Sequence, residues 1–380
     1  MNRTAKITQL LALSVLLSFF IWEIAYSGQS QKVPIEPDSL DDGPHVYWQN
    51  DSTAVVIYFQ DREFVRTEYP FQANLSFEKV AGNDTTIYRM APRNNHSEPE
   101  TFSGVSRILA ISDIHGEYEY LVDLLRNTKV IDDNNHWSWG DGHLVIVGDV
   151  FDRGNMVTEC LWLIYQLELE AKAAGGAVHY LLGNHEHMVM TNDLRYVNDK
   201  YLNGISRRNR INYSELFGPN MELGRWLRTK HTVIKLNDII FVHGGLSSEL
   251  IDSGYSITEI NNRVRVLLDL PAQESMFNQR SLFLTKGLGP LWYRGFHYDM
   301  ENSYDQATTA QVERVLEYFN AHAIVVGHTG VDSVMSLYDS RVFAVDIPFE
   351  DIHSLEALLC NDSGFFRVMG SGELRPLKLK

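Results

Sequence analysis

Cysteine is scarce: the 380-residue chain carries Cys160 and Cys360 and no other. Two thiols cannot build a disulfide framework or a cysteine-ligated zinc site. Cys160 lies in an apolar helical stretch where a buried thiol is the common state, so a Cys160–Cys360 bridge is the minor reading. Positive charge is also short, 33 Lys and Arg against 49 Asp and Glu, a formal net charge of -16. Such a surface repels polyanions, which argues against general nucleic-acid binding but leaves room for a local cationic anion site. Long apolar runs are missing except near the start. There Arg3 and Lys6 precede Leu10 to Ile24, interrupted by Ser14, Ser18 and Glu23, and Ala25-Tyr26-Ser27 follows. That pattern predicts a signal peptide or membrane anchor over residues 1–27, since the run is long for a cleaved signal and short of the roughly 20 apolar residues of a membrane span. Cleavage is the favoured reading. Either way, positive charge ahead of the run places the rest outside the cytoplasm, in the periplasm or another extracytoplasmic space.

What is present is a 44% hydrophobic chain, ample for a sizeable core. Residues 28–44 are polar, with Pro34, Pro37 and several acidic side chains, and are read as a linker. Residues 45–100 contain short runs rich in β-branched and aromatic residues, Val46 to Trp48, Ala54 to Phe59 and Thr86 to Tyr88, separated by turn-forming stretches; they predict a small antiparallel β unit. Pro92 to Ser103 reads as a boundary, and residues 104–380 as the main domain. In that part, strands at Arg107–Ile111, Leu144–Val147 and Val178–Leu182 alternate with helices at Glu117–Asn127 and Met156–Ala174, the second stopped by Gly175-Gly176. Paired strands follow near His231–Leu236 and Ile239–Val242, then a helix at Ala307–Phe319 and a succession of strands. Alternation followed by succession predicts an α/β fold, a mixed sandwich flanked by helices.

Side chains able to bind cations recur just after these strands, always beside glycine. They are Asp113 and His115 in Ser-Asp-Ile-His-Gly, Asp149 in Gly-Asp-Val-Phe-Asp-Arg-Gly, Asn184 and His185 in Gly-Asn-His-Glu, His243 in His-Gly-Gly, and His328 in Gly-His-Thr. Strands of an open α/β sheet end at one edge, where ligands bind, so the placement gathers these donors into one pocket. Mixed oxygen and imidazole donors suit Mn, Fe or Zn better than calcium or magnesium.

The ordered set D-x-H, G-D-x-x-D-R-G, G-N-H-E, H-G-G and a last His resembles the metallophosphoesterase superfamily, in its phosphoprotein phosphatase branch. Gly289-Pro290-Leu291-Trp292-Tyr293-Arg294-Gly295 and the stretch Asn220 to Leu227 resemble the Shewanella-like protein phosphatases in particular. The resemblance implies a calcineurin-like fold and two metal ions. By it, Asp113 and His115 hold the first ion, Asp149 bridges both, and Asn184, His243 and His328 hold the second. It also implies that His185 is the general acid, that Asp152 orients it, that Arg153 and Arg294 grip the phosphate, and that Glu186 supports the ligands from behind. Ser112, where many members carry Gly, and the Gly-His-Thr setting of His328 depart from the pattern without removing a ligand. Asp346, after another apolar strand, reads as a turn residue.

The implied reaction is hydrolysis of a phosphoester by a metal-bridging hydroxide, with no phosphoenzyme. Substrates expected from the resemblance are phosphorylated proteins or peptides, with a leaning to phosphotyrosine. A hydrolase of diadenosine tetraphosphate or another phosphoanhydride, and a broad phosphomonoesterase, use the same motifs. From another class, a non-catalytic binding protein on this fold would be signalled by loss of a ligand, of His185 or of Arg153, and none is lost.

Overall fold

A computed structural model describes residues 41–50, 52–60, 63–70, 76–81, 84–90, 97–269, 283–300, 304–349 and 354–379. The expected leader and nearly all of the expected linker lie outside the described residues. Among the described residues, no helix is long and apolar enough to cross a membrane.

Two sheets face each other. One runs in the order β17-β16-β15-β7-β8-β9. Its strands are β7 (Arg107–Ile111), β8 (His143–Ile146) and β9 (Ala177–Tyr180), mutually parallel, then β15 (Glu356–Asn361), β16 (Gly364–Met369) and β17 (Leu374–Arg375). The other runs β18-β13-β14-β12-β11-β10-β6. It consists of β6 (Thr101–Phe102), β10 (Val233–Leu236), β11 (Ile239–Val242), β12 (Ala323–Val326), β13 (Met335–Leu337), β14 (Val342–Ala344) and β18 (Lys378–Leu379), with β11, β12 and β14 parallel. Strand periodicity assigns the faces. In β7, Ile108 and Ala110 enter the core between the sheets with Val145, Val325 and Phe343, while Leu109 and Ile111 turn to the opposite face. Both faces are buried, which is why these strands read as continuous apolar runs.

Helices cover the outer face. α1 (Tyr118–Asn127) buries Leu121, Val122, Leu124 and Leu125, and α2 (Val157–Ala173) buries Cys160 to Tyr165 and Leu167 while Glu168, Glu170 and Lys172 mark its more exposed end. The short helices α3 (Asn184–Met190) and α4 (Glu222–Leu227) follow β9 and precede β10. α5 (Thr309–Phe319) buries Val312, Val315, Leu316 and Phe319, a helical stripe. It starts two residues later than the periodicity suggests, because Thr308 is its cap: the Thr308 hydroxyl accepts from the Gln311 amide at 3.3 Å. Cys160 and Cys360 are separate buried free thiols.

The N-terminal part differs from the single β unit expected. β1 (Asp42–Asn50), β2 (Thr53–Gln60) and β3 (Glu63–Pro70) form one antiparallel sheet, and β4 (Ser76–Ala81) with β5 (Asp84–Arg89) a separate pair. β1 starts inside the stretch read as linker, because Asp42 is buried and bonded to His45 at 2.7 Å. The sheet is also fastened to the rest. Trp48 donates its amide to Asn220 O at 2.8 Å and its indole N–H to Glu222 at 2.5 Å, and Trp162 donates to Pro44 O at 2.8 Å. Residues 101 and 102, within the expected boundary stretch, instead form β6 and pair with β10. Composition cannot foresee that pairing, because two residues carry no periodicity.

Candidate active site

Both sheets deliver their parallel strands to one edge. Asp113, Asp149 and Asn184 follow β7, β8 and β9; His243, His328 and Asp346 follow β11, β12 and β14. Backbone and side-chain bonds join the two rows. His243 Nδ1 lies 2.7 Å from Val147 O, and the His328 amide donates to Asp113 Oδ2 at 3.0 Å. The turns are tight. Asp113, His115, Asp149, Asp152, Arg153 and His328 all adopt positive φ, between 49° and 71°. For non-glycine residues this conformation costs roughly 1–2 kcal/mol each, and such strain concentrates at functional sites. Gly183 is required by close approach: a Cβ there would overlap Asp149 Oδ1.

The structure brings the six expected ligands together. Asp149 is the centre: its Oδ2 lies 3.1 Å from His243 Nε2 and 3.8 Å from His185 Nε2, and it belongs to two potential metal-holding groups, His115–Asp149–His185 and Asp149–His243–His328. Asn184 Oδ1 is 2.8 Å from His243 Nε2. Asp113 Oδ1 is 3.8 Å from His115 Nε2, while its Oδ2 is taken up by Ser112 Oγ at 2.6 Å and the His328 amide. Ser112 thus orients the first carboxylate, a role glycine could not supply.

Whether cations fit can be judged from the imidazoles. His115 and His243 each turn Nδ1 to a backbone carbonyl, Phe151 O and Val147 O, both at 2.7 Å, which leaves Nε2 facing the cluster. His115 Nε2 and His328 Nε2 are buried without a hydrogen-bond partner among the described residues. A buried nitrogen left without a partner beside carboxylates is costly unless something accepts its lone pair, and the backbone contact on the far nitrogen, made by His115 and His243, is how metal-binding imidazoles are held. The donor set therefore fits a pair of cations.

Electrostatics agree. Burial works against the charge of Asp149, yet His243, His185 and His115 hold it well below the usual carboxylate range. Burial likewise opposes protonated His243, but Asp149 and Asp113 outweigh it and raise its pKa to about 10. His115 and His328 are lowered, first by burial, and His328 further by His243 and Arg294.

His185 occupies a different position. Its Nδ1 lies 2.6 Å from Asp152 Oδ2. Burial lowers its pKa, but Asp149 and the bond to Asp152 prevail and raise it. Glu186, fully buried, accepts the amides of Asp149, Val150 and Gly183 at 2.9, 2.8 and 2.6 Å and the Tyr180 hydroxyl at 2.8 Å. It ties the Asp149 turn to the start of α3.

Arg153 is exposed, its amide bonded to Tyr196 O at 2.9 Å. Arg294 is half-buried, 3.5 Å from His328 Nδ1 and 3.4 Å from Thr329 Oγ1, with no carboxylate partner among the described residues. The segment carrying it docks on the His-Gly-Gly turn, where the Gly244 amide donates to Pro290 O at 2.8 Å.

Two further residues lie at this edge, and only Tyr196 was absent from the sequence reading. Asp346, read as a turn residue, is buried at the same edge: its side chain is 8% exposed, and burial, then Asp113, push its carboxyl far up, with His243, Asp149 and Arg153 also acting on it. Its place after an apolar strand was the available signal. Tyr196 is exposed with its ring centroid 5.3 Å from that of His185. No sequence signal marked it, because it lies in a loop without glycine or motif.

Carboxylates and imidazoles converging on a shared Asp149, flanked by two guanidinium groups, fit a metal-dependent phosphoesterase. The calcineurin-like phosphoesterase model matches residues 106–332, more than half of the chain, and the chain belongs to that family. It is 30% identical over 243 residues to Shewanella-like protein phosphatase 1 of Plasmodium berghei (strain Anka), a match spanning 63% of this chain and 66%, just under two thirds, of that relative. With Shewanella-like protein phosphatase 2 of Arabidopsis thaliana it shares 26% identity over 298 residues, 65% of this chain and 72% of that one. Among solved structures it is similar to a cold-active protein-tyrosine phosphatase of a psychrophilic Shewanella species, with TM-score 0.82, 34% identity, and coverage of 89% of this chain and 99% of that one. Family and homologues place the chain among metal-dependent phosphatases of mixed α/β fold.

Proposed function

We propose that the protein is a two-metal phosphatase of phosphorylated proteins or peptides, favouring phosphotyrosine, that works without a phosphoenzyme. The observation that carries this reading is the convergence of two buried groups, His115–Asp149–His185 and Asp149–His243–His328, on the one carboxylate of Asp149. Asp113 and His115 would hold one cation, Asn184, His243 and His328 the other, and Asp149 both; Mn, Fe or Zn suits the donors. Bound there, such a pair supplies an acidified water and neutralises phosphoryl charge.

The chain's own side chains do the rest. Arg153 and Arg294 approach from two segments and offer planar forks to the phosphate oxygens. His185 keeps a proton because Asp152 accepts from Nδ1, and Nε2 faces the Asp149 side where the leaving oxygen would lie. Donation of that proton is typically worth 10²–10⁴-fold. Geometry alone also admits His185 as a metal donor, but its Nδ1 bond to Asp152 favours the acid role. Export through the N-terminal segment is part of the proposal, resting on the charge and apolar pattern of residues 1–27. The preference for phosphotyrosine is supported by the similarity to a protein-tyrosine phosphatase.

The test is Asp149→Asn, with bound metal measured by elemental analysis and turnover on phosphotyrosine peptide, phosphoserine peptide and a dinucleotide polyphosphate. Activity and metal content should both collapse. Full activity in that variant would refute the shared-ligand role, and faster wild-type turnover of the dinucleotide would refute the protein substrate.

A further inference from the structure

The ring of Tyr196 stands half out of the protein, 49% exposed, at the lip of the site. Its neighbours give that position meaning. The ring centroid is 5.3 Å from the His185 ring at an interplanar angle of 53°. The Arg195 guanidinium lies 5.6 Å from the Tyr196 centroid and is itself held in a two-point pair with Asp193, at 2.8 and 2.7 Å. Next along the chain, Val197 is buried as an anchor. The Arg153 amide donates to Tyr196 O at 2.9 Å, and Asn198 Nδ2 donates to Arg153 O at 2.7 Å. The loop that presents Tyr196 is therefore sewn to the arginine expected to hold the phosphate and packed on the histidine expected to protonate the leaving oxygen.

We propose that Tyr196 selects for an aromatic leaving group, its exposed face packing against the phenyl ring of a phosphotyrosyl substrate. This inference rests on the phosphatase reading above. In an aryl phosphate the phenyl ring begins one bond beyond the oxygen that His185 protonates. A ring in that place would sit beside the His185 imidazole on which Tyr196 already packs, and aromatic pairs interact over centroid distances of roughly 4.5–7 Å. A phosphoseryl group puts a single methylene there and gains little from the same wall. The apolar face left open to solvent in the free protein is the surface such a ring would cover.

The experiment compares wild type, Tyr196→Phe and Tyr196→Ala, metal-loaded, on peptides of one sequence carrying phosphotyrosine or phosphoserine. Tyr196→Ala should lower the phosphotyrosine-to-phosphoserine ratio of kcat/KM by about 2- to 12-fold, carried by KM, the size expected for one aromatic pair. Tyr196→Phe should keep the ratio, since the ring and not the hydroxyl makes the contact. An unchanged ratio in Tyr196→Ala, or an equal fall in Tyr196→Phe, overturns the inference while leaving the phosphatase reading intact. A wild type with no preference for phosphotyrosine overturns the substrate reading, and the inference falls with it. Bound metal and melting temperature, measured alongside, separate a local loss from a misfolded variant.

Discussion

Replacing Asp152 by asparagine tests how the chain holds a proton where catalysis needs it. Asp152 Oδ2 is 2.6 Å from His185 Nδ1, a buried bond with ionic character. Such bonds contribute about 1.5–3 kcal/mol. If that stabilisation is realised only as His185 carries and delivers its proton, its loss slows the reaction about 10- to 150-fold. The figure stays within the whole contribution of a general acid, about 10²–10⁴-fold. Two further signs follow. His185 is raised above its ordinary pKa partly by Asp152, so the rate should fall as pH rises through that raised value. Asparagine removes the raising influence while burial, which lowers it, remains; the alkaline limb must therefore move to lower pH. Bound metal should not change, because Asp152 is not among the expected ligands. The assay is kcat/KM against pH on two aryl phosphates of differing leaving-group pKa, with elemental analysis of each preparation. Poor leaving groups, which depend on proton donation, should lose most. Equal losses on both substrates, or an alkaline limb that stays in place with metal retained, would refute the acid assignment and the positioning role together.

Metal loading gives a second test: His243 has a pKa of about 10 without a cation, so at neutral pH its proton must leave before Nε2 can bind one. Binding measured calorimetrically in two buffers of different ionisation enthalpy should show proton release, with affinity rising with pH; an absence of release would count against His243 as a ligand. The docking of the N-terminal sheet is tested by Trp48→Phe, which removes the 2.5 Å indole bond to buried Glu222. Leaving that carboxylate short of a donor should cost about 1–3 kcal/mol in equilibrium unfolding with bound metal unchanged, and no loss of stability would mean that the contact contributes nothing.

By itself, the sequence determined which side chains are candidates for the chemistry. Asp113, His115, Asp149, Asn184, His243 and His328 were legible because each follows an apolar strand and neighbours glycine, a local pattern that needs no knowledge of the fold. The same periodicity located β7, β8, β9, β11 and α5, within a residue or two at the ends. What the tertiary structure decided is everything that depends on pairing between distant segments. Sheet order placed Asp346 at the same edge as the ligands, although its own neighbourhood looks like an ordinary turn. Packing of the loop after α3 put Tyr196 against His185, and Trp48 with Glu222 fastened a sheet that composition alone would set apart. Short-range pattern records which face of an element is buried; only the folded chain determines what it is buried against.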